Sequence, residues 1–144
     1  MRCKVTNKII EPFMSFGEMP LANGFLKKED FSKEFFFNLE VGFSEELSLF
    51  QLNEFPNPIK IFNENYPFFS GSSEYMKKHF FNYFNWIKKN YLSDKSNVIE
   101  IGSNDGTMLT NFKNEGFNYI GFEPSMSAAK KAKKNNISIV LIFS

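Results

Sequence analysis

Two carboxylates and two glycines carry the chemistry that this sequence offers. Glu100 stands near the end of the apolar run Val98-Ile99-Glu100-Ile101, and Glu123 closes Tyr119-Ile120-Gly121-Phe122-Glu123. Between the runs, Gly102 and Gly106 bracket Ser103-Asn104-Asp105. Glycine at both ends lets a loop turn sharply and approach a ligand without a Cβ clash. A helix starting near Thr107 presents its unpaired N–H groups at the same place. A carboxylate at the end of the first strand can reach an ammonium group. An acidic residue about 20 positions further on accepts hydrogen bonds from ribose hydroxyls in nucleotide-binding folds, and Glu123 has that spacing.

The glycine spacing separates one cofactor class from another. Gly102 to Gly106 is G-x-x-x-G, whereas a dinucleotide site has G-x-G-x-x-G. Glu100 and Asp105 also place negative charge where a pyrophosphate would sit. Both features disfavour an NAD-dependent oxidoreductase. A cationic, phosphate-free ligand fits better, and S-adenosylmethionine carries a sulfonium and an amino group beside a ribose. As a lone motif the glycine pair would only shape a turn. The strand before it, the helix after it and Glu123 at the next strand end favour the cofactor reading.

The elements that must position these residues follow from local patterns. Thr107 onward is a helix ending near Gly116, a natural C-cap. Tyr119–Phe122 is a second strand, Ser127 to about Asn135 a short helix, and Ile137–Phe143 a third strand. This β-α-β-α-β order is the first half of a Rossmann-like doubly wound parallel sheet, so the fold class is α/β. A helix from Ser72 or Ser73 to about Tyr91 precedes it, with Met76, Phe80, Tyr83, Phe84, Ile87 and Tyr91 at helical spacing on one buried stripe. Residues 1–65 form a small irregular β-rich module. Phe35–Val41 and Leu47–Leu52 suit strands there, and Asn23-Gly24 is a turn signal. The expected organisation is this module, a linker loop and helix over 66–92, and a partial cofactor domain over 93–144.

Composition sets outer bounds. The chain has 144 residues, 42% of them hydrophobic, which suffices for a packed core. Its formal net charge of +1 gives no electrostatic footprint for nucleic acid. The 20 phenylalanines read as genome composition rather than function. Cys3 is the single cysteine, so an intrachain disulfide is excluded and a reducing compartment is the default. Met1–Lys8 lacks the apolar segment of a secretory signal, and Ile137–Phe143 falls far short of the roughly 20 residues of a membrane helix. The expectation is a cytoplasmic protein with neither membrane nor nucleic-acid partner.

Glu100-Ile101-Gly102-Ser103-Asn104-Asp105-Gly106-Thr107 resembles the cofactor motif of class I S-adenosylmethionine-dependent methyltransferases. More narrowly, the chain resembles sugar C-methyltransferases, which methylate a nucleotide-linked keto-deoxysugar. Gly17-Glu18-Met19-Pro20-Leu21-Ala22-Asn23-Gly24-Phe25-Leu26 is similar to that family's GxxPLANxFL segment. Asn65–Ser73 with His79 is similar to its Tyr…Ser-Gly-x-Ser…His segment, and Phe122-Glu123-Pro124-Ser125 to the end of its second strand. The resemblance implies proton removal beside a ketone and methyl transfer to that carbon. It implies cofactor contacts from Tyr66, Ser70, Ser73, Glu100, Gly102, Ser103, Asn104, Asp105, Gly106, Glu123 and Pro124. It makes His79 the catalytic candidate, against an ordinary helix histidine.

Two departures from the family pattern matter. Its N-terminal module resembles a zinc ribbon with two C-x-x-C pairs. Here Cys3 is kept, while Thr6, Ser44 and Leu47 stand at the other positions. One thiolate cannot build a tetrathiolate site, so zinc is not expected and no metal ligands are assigned. A metal-free module held by an aromatic core of Phe13, Phe16, Phe25, Phe35, Phe37 and Phe43 is the expectation. The second departure is that the sequence stops after the third strand. The expectation is therefore the N-terminal part of a C-methyltransferase with a small-molecule substrate. The alternative is a non-catalytic remnant, or a split-gene half that pairs with a separately encoded C-terminal half.

Overall fold

The computed structural model describes residues 1–22 and 25–142. The Asn23-Gly24 turn and the Phe143 end of the expected last strand lie outside these residues. The chain forms two compact units, Met1–Ile61 and Phe62–Ser144.

The N-terminal unit is an antiparallel sheet in the order β1-β2-β3, with β1 Pro12–Pro20, β2 Phe36–Ser44 and β3 Leu49–Leu52. A four-residue helix α1, Pro58–Ile61, follows. The turn-rich segment around Met19 and Pro20 thus begins as a strand. Its pairing with β2 shifts register twice, between Pro12 and Met14 and between Ser15 and Glu18, and Gly17 takes a positive φ of 72° in the second shift. Glycine tolerates that angle without a Cβ penalty, as β-bulges require.

The aromatic core expected for this unit does not form. Phe37 is buried, but Phe13, Phe16 and Phe25 are each more than half exposed. A single-layered sheet has too little opposing surface to cover six rings. Phe13, Phe43 and Phe50 instead form a surface cluster, with centroids 5.3 Å apart for Phe13–Phe50 and 4.7 Å for Phe43–Phe50. The buried groups near the N-terminus are polar or small: Cys3, Ser44 and Gln51.

The C-terminal unit is mixed in helices and strands, and its sheet is parallel in the order β4-β5-β6. The strands are β4 Asn97–Ile101, β5 Asn118–Glu123 and β6 Ile139–Leu141. Helices α2 Glu74–Tyr91, α3 Thr107–Asn114 and α4 Met126–Lys134 complete it. This is the expected α/β architecture, an antiparallel module followed by half of a Rossmann-like sheet. Ser73 caps α2 by accepting the Met76 N–H at 3.3 Å. Gly116, at φ 77°, ends α3, and the Phe117 N–H returns to the Phe112 carbonyl at 3.1 Å.

The core joins Phe84 of α2, Met108, Leu109 and Phe112 of α3, Ala129 and Ala132 of α4, and Ile137 and Ile139. Phe84 and Phe112 meet edge to face at 4.9 Å. The small alanines let α4 lie close to the sheet. The buried stripe of α2 is narrower than its periodicity suggests. Phe84 is fully buried and Phe80 and Ile87 pack against the core, whereas Tyr83 and Tyr91 face solvent. One helix, α3, covers that face of α2, and a single partner helix shields a narrower strip than a full core does. No helix among the described residues is long and apolar enough to cross a membrane.

Candidate cofactor-binding site

The site is built where β4 and β5 end together. Parallel register pairs Glu100 with Gly121 and Ile101 with Phe122, so both strands deliver their C-terminal residues to the same rim. The chain leaves β4 through Gly102, at φ 73°, whose N–H donates to the Phe122 carbonyl at 2.8 Å. Asn104, at φ 51°, and Gly106, at φ 76°, supply two further left-handed steps. Asn is one of the few non-glycine residues that accept this region. These three turns fold the loop back so that α3 starts against the sheet.

Glu123 is the internal brace of the loop. It is only 3% exposed. Its Oε2 accepts the Asn104 N–H at 2.7 Å and its Oε1 accepts the Ser125 N–H at 2.8 Å. A carboxylate has about four acceptor sites, so capacity remains beyond these two bonds. Ser125 in turn caps α4 through the Ala128 N–H, with Pro124 completing the bend. Ser103 is buried, and its Oγ donates to the Phe122 carbonyl at 3.4 Å.

Asp105 is also buried, and its carboxylate points into the protein. It accepts the Gly71 N–H, the Thr107 hydroxyl at 2.6 Å and an ion pair from Lys131 at 3.3 Å. Asn104 works alongside it. Its Oδ1 accepts the Ser70 N–H at 3.0 Å and its Nδ2 donates to the Phe68 carbonyl at 3.0 Å. The segment from Phe68 to Gly71 is thereby fastened to the glycine loop. Ser127 holds its start by donating to the Tyr66 carbonyl at 3.0 Å. Tyr66 and Ser70 are half-buried beside the loop, and Ser73 serves as the α2 cap. Burial, with the Glu123 charge second, raises the Tyr66 hydroxyl above its ordinary pKa.

Glu100 differs from the other acids. Its Oε2 is buried and has no hydrogen-bond partner among the described residues. Burial, reinforced by the Glu123 charge, pushes its carboxyl up from 4.5 to about 7. It borders a cavity of about 250 Å³ shared with Tyr83, Ile87, Val98 and Met108. Above the neighbouring Gly102, a built Cβ would meet nothing within 4 Å. An uncompensated carboxylate beside open space is what a bound cation would complete.

His79 sits on exposed α2 surface, stacked on Tyr83 with centroids 6.4 Å apart, and makes no described contact with the loop. Lys131, one of several lysines on α4, escaped the sequence reading, while Gly71 and Thr107 lie within the segments that carry the resemblance but were assigned no role of their own. Gly121 had a usable signal, since glycine inside a strand marks close approach. A Cβ there would meet Ser103 Oγ at 2.5 Å and Leu109 Cδ1 at 2.7 Å.

With this geometry in place, comparison with known proteins adds one match. Residues 3–62 match the family model Methyltransf_13, described as "Putative zinc binding domain". No curated protein matches the chain. The N-terminal unit therefore carries a methyltransferase-associated module, ahead of a C-terminal unit that holds the glycine loop.

Proposed function

We propose that this chain supplies the cofactor-binding part of an S-adenosylmethionine-dependent methyltransferase of class I. The observation that carries the reading is the unpartnered, buried Oε2 of Glu100, which borders a cavity at the end of β4, two residues before the glycine loop. The ammonium of the methionyl end would satisfy that oxygen. The Gly102–Gly106 backbone would follow the methionine portion, with Ser103 and Asn104 holding the loop in shape. Glu123, already oriented by two amides, would take a ribose hydroxyl on its remaining lone pairs. The bound cofactor supplies an electrophilic methyl group. The chain's own residues bind and orient, and they keep the carboxylates desolvated. The methyltransferase-associated module at the N-terminus supports this reading.

The finer proposal is C-methylation of a nucleotide-linked keto-deoxysugar or a similar small molecule. It rests on the resemblance of the Gly17–Leu26 and Asn65–Ser73 segments. His79 would have to meet the acceptor from the exposed face of α2.

A second reading is favoured by one observation. Ile99 and Ile101 of the edge strand β4 are 65% and 84% exposed. An open apolar edge suits a pairing module that takes another strand.

Calorimetry of the whole chain with S-adenosylmethionine separates these readings. Binding that weakens at least tenfold in Gly102→Val and in Glu100→Gln is the expected result. No heat up to millimolar cofactor, or equal affinity in both variants, overturns the cofactor reading.

A further inference from the structure

The N-terminal unit matches a family described as zinc binding, yet its donor set does not fit the metal. A structural zinc centre takes four ligands, drawn almost always from Cys and His. Cys3 is the chain's single cysteine, and the single histidine, His79, belongs to the other unit. Among the described residues no group of three or more His, Cys, Asp or Glu could hold a metal ion. The Thr6 hydroxyl accepts the Lys8 N–H at 3.4 Å, closing a local turn. Leu47 offers no donor atom at all.

Something else links the first residues to the sheet. Cys3 is 2% exposed, and its Sγ accepts the Gln51 Nε2–H at 3.0 Å and the Thr6 N–H at 3.4 Å. The Gln51 Oε1 accepts the Lys4 N–H at 2.7 Å. Gln51 is itself buried on β3, in register with Gly42 of β2. One carboxamide thus satisfies a buried sulfur with its donor side and the next backbone N–H with its acceptor side. The Cys3–Gln51 contact spans 48 positions of sequence. A turn held by an amide-to-sulfur bond is retained, as at a zinc-bound cysteine, but the group facing the sulfur is an amide.

We propose that the Gln51 carboxamide replaces the metal ion as the cross-link of this module. A glutamine suits the position because it both donates and accepts, whereas a carboxylate only accepts and an aliphatic residue does neither. The replacement makes the module independent of metal supply. It also explains how the unit dispenses with an aromatic core: the buried polar link organises the chain start, while Phe13, Phe16 and Phe25 stay on the surface.

The test is thermal unfolding of the whole chain with and without a chelator, together with native mass spectrometry for bound metal. The expected results are an apoprotein mass and a midpoint unchanged by EDTA. Gln51→Leu should lower the midpoint of the N-terminal unit by about 5 °C, the scale of one buried hydrogen-bonded group in a domain of this size. Gln51→Glu should also lower it, because the sulfur loses its side-chain donor and keeps only the Thr6 N–H. One equivalent of zinc with an EDTA-induced loss of structure overturns the proposal, as does a Gln51→Leu midpoint equal to that of the parent. Should the variants fail to fold, amide exchange in the parent decides. A Lys4 N–H protected equally with and without EDTA upholds the link, and one exchanging at the rate of an open chain refutes it.

Discussion

The Gly71 N–H lies 3.1 Å from Asp105 Oδ2 and 3.3 Å from Oδ1, so one backbone amide of the segment before α2 rests on the carboxylate of the glycine loop. That contact settles what Asp105 does in the folded chain. Its charge is offset by Lys131, its oxygens are taken by Gly71 and Thr107, and it holds two segments 34 positions apart. The loop that faces the open space over Gly102 is therefore stiffened from behind.

Gly71 is the sensitive partner of this pair. A Cβ at Gly71 would stand 2.6 Å from Thr107 Oγ1 and 2.9 Å from Asp105 Oδ2. Gly71→Ala should cost roughly 1–3 kcal/mol, since it displaces hydrogen-bonded groups in a buried setting. Asp105→Ala should cost a similar amount by leaving the Gly71 N–H and the Thr107 hydroxyl without their acceptor. Urea unfolding of both variants checks this, and a Gly71→Ala chain as stable as the parent would contradict the close contact.

Glu100 makes stability depend on pH in a defined direction. Its carboxyl is raised in the folded chain from 4.5 to about 7, chiefly by burial. The folded state thus holds its proton more tightly than the unfolded state does. This contribution is fully present below pH 4.5 and is lost as pH rises through about 7. At about 1.4 kcal/mol per pKa unit the loss is bounded near 3 kcal/mol. Glu100→Gln should therefore stabilise the chain by roughly 2 kcal/mol at pH 8 and do little at pH 4.5. Denaturant midpoints of parent and variant at the two pH values test this, and a difference that does not change with pH would refute it. Binding of a cation at Glu100 should also release a proton near pH 6.

Gly121 tests the packing of loop on sheet without touching the carboxylates. Gly121→Ala would press its methyl into Ser103 Oγ and Leu109 Cδ1, and Leu109 is fully buried at the head of α3. Overpacking of this kind costs about 1–3 kcal/mol. Thermal unfolding should show a drop of several degrees, together with weakened cofactor binding because the loop must shift. An unchanged midpoint would mean that α3 moves away freely.

What could be read from the sequence was local. Short apolar runs carrying Glu100 near the end of one and Glu123 at the end of the other, glycines four apart, the serines before α2, and Gly116 after α3 each act within a few residues. Their outcome is set by backbone sterics and capping. They were enough to place β4, α3, β5, α4 and β6 in order and to locate the loop. Tertiary structure alone decided how the acids divide their work. Asp105, Glu123 and Glu100 are similar carboxylates within 24 positions of sequence. Folding gives the first a lysine and a distant glycine amide, gives the second two amides, and leaves the third without a partner. The same holds for Cys3, whose sulfur is met by an amide from 48 positions away. Hydrogen-bond partners and desolvation depend on which segments the fold brings together, and no local pattern of residue types encodes that.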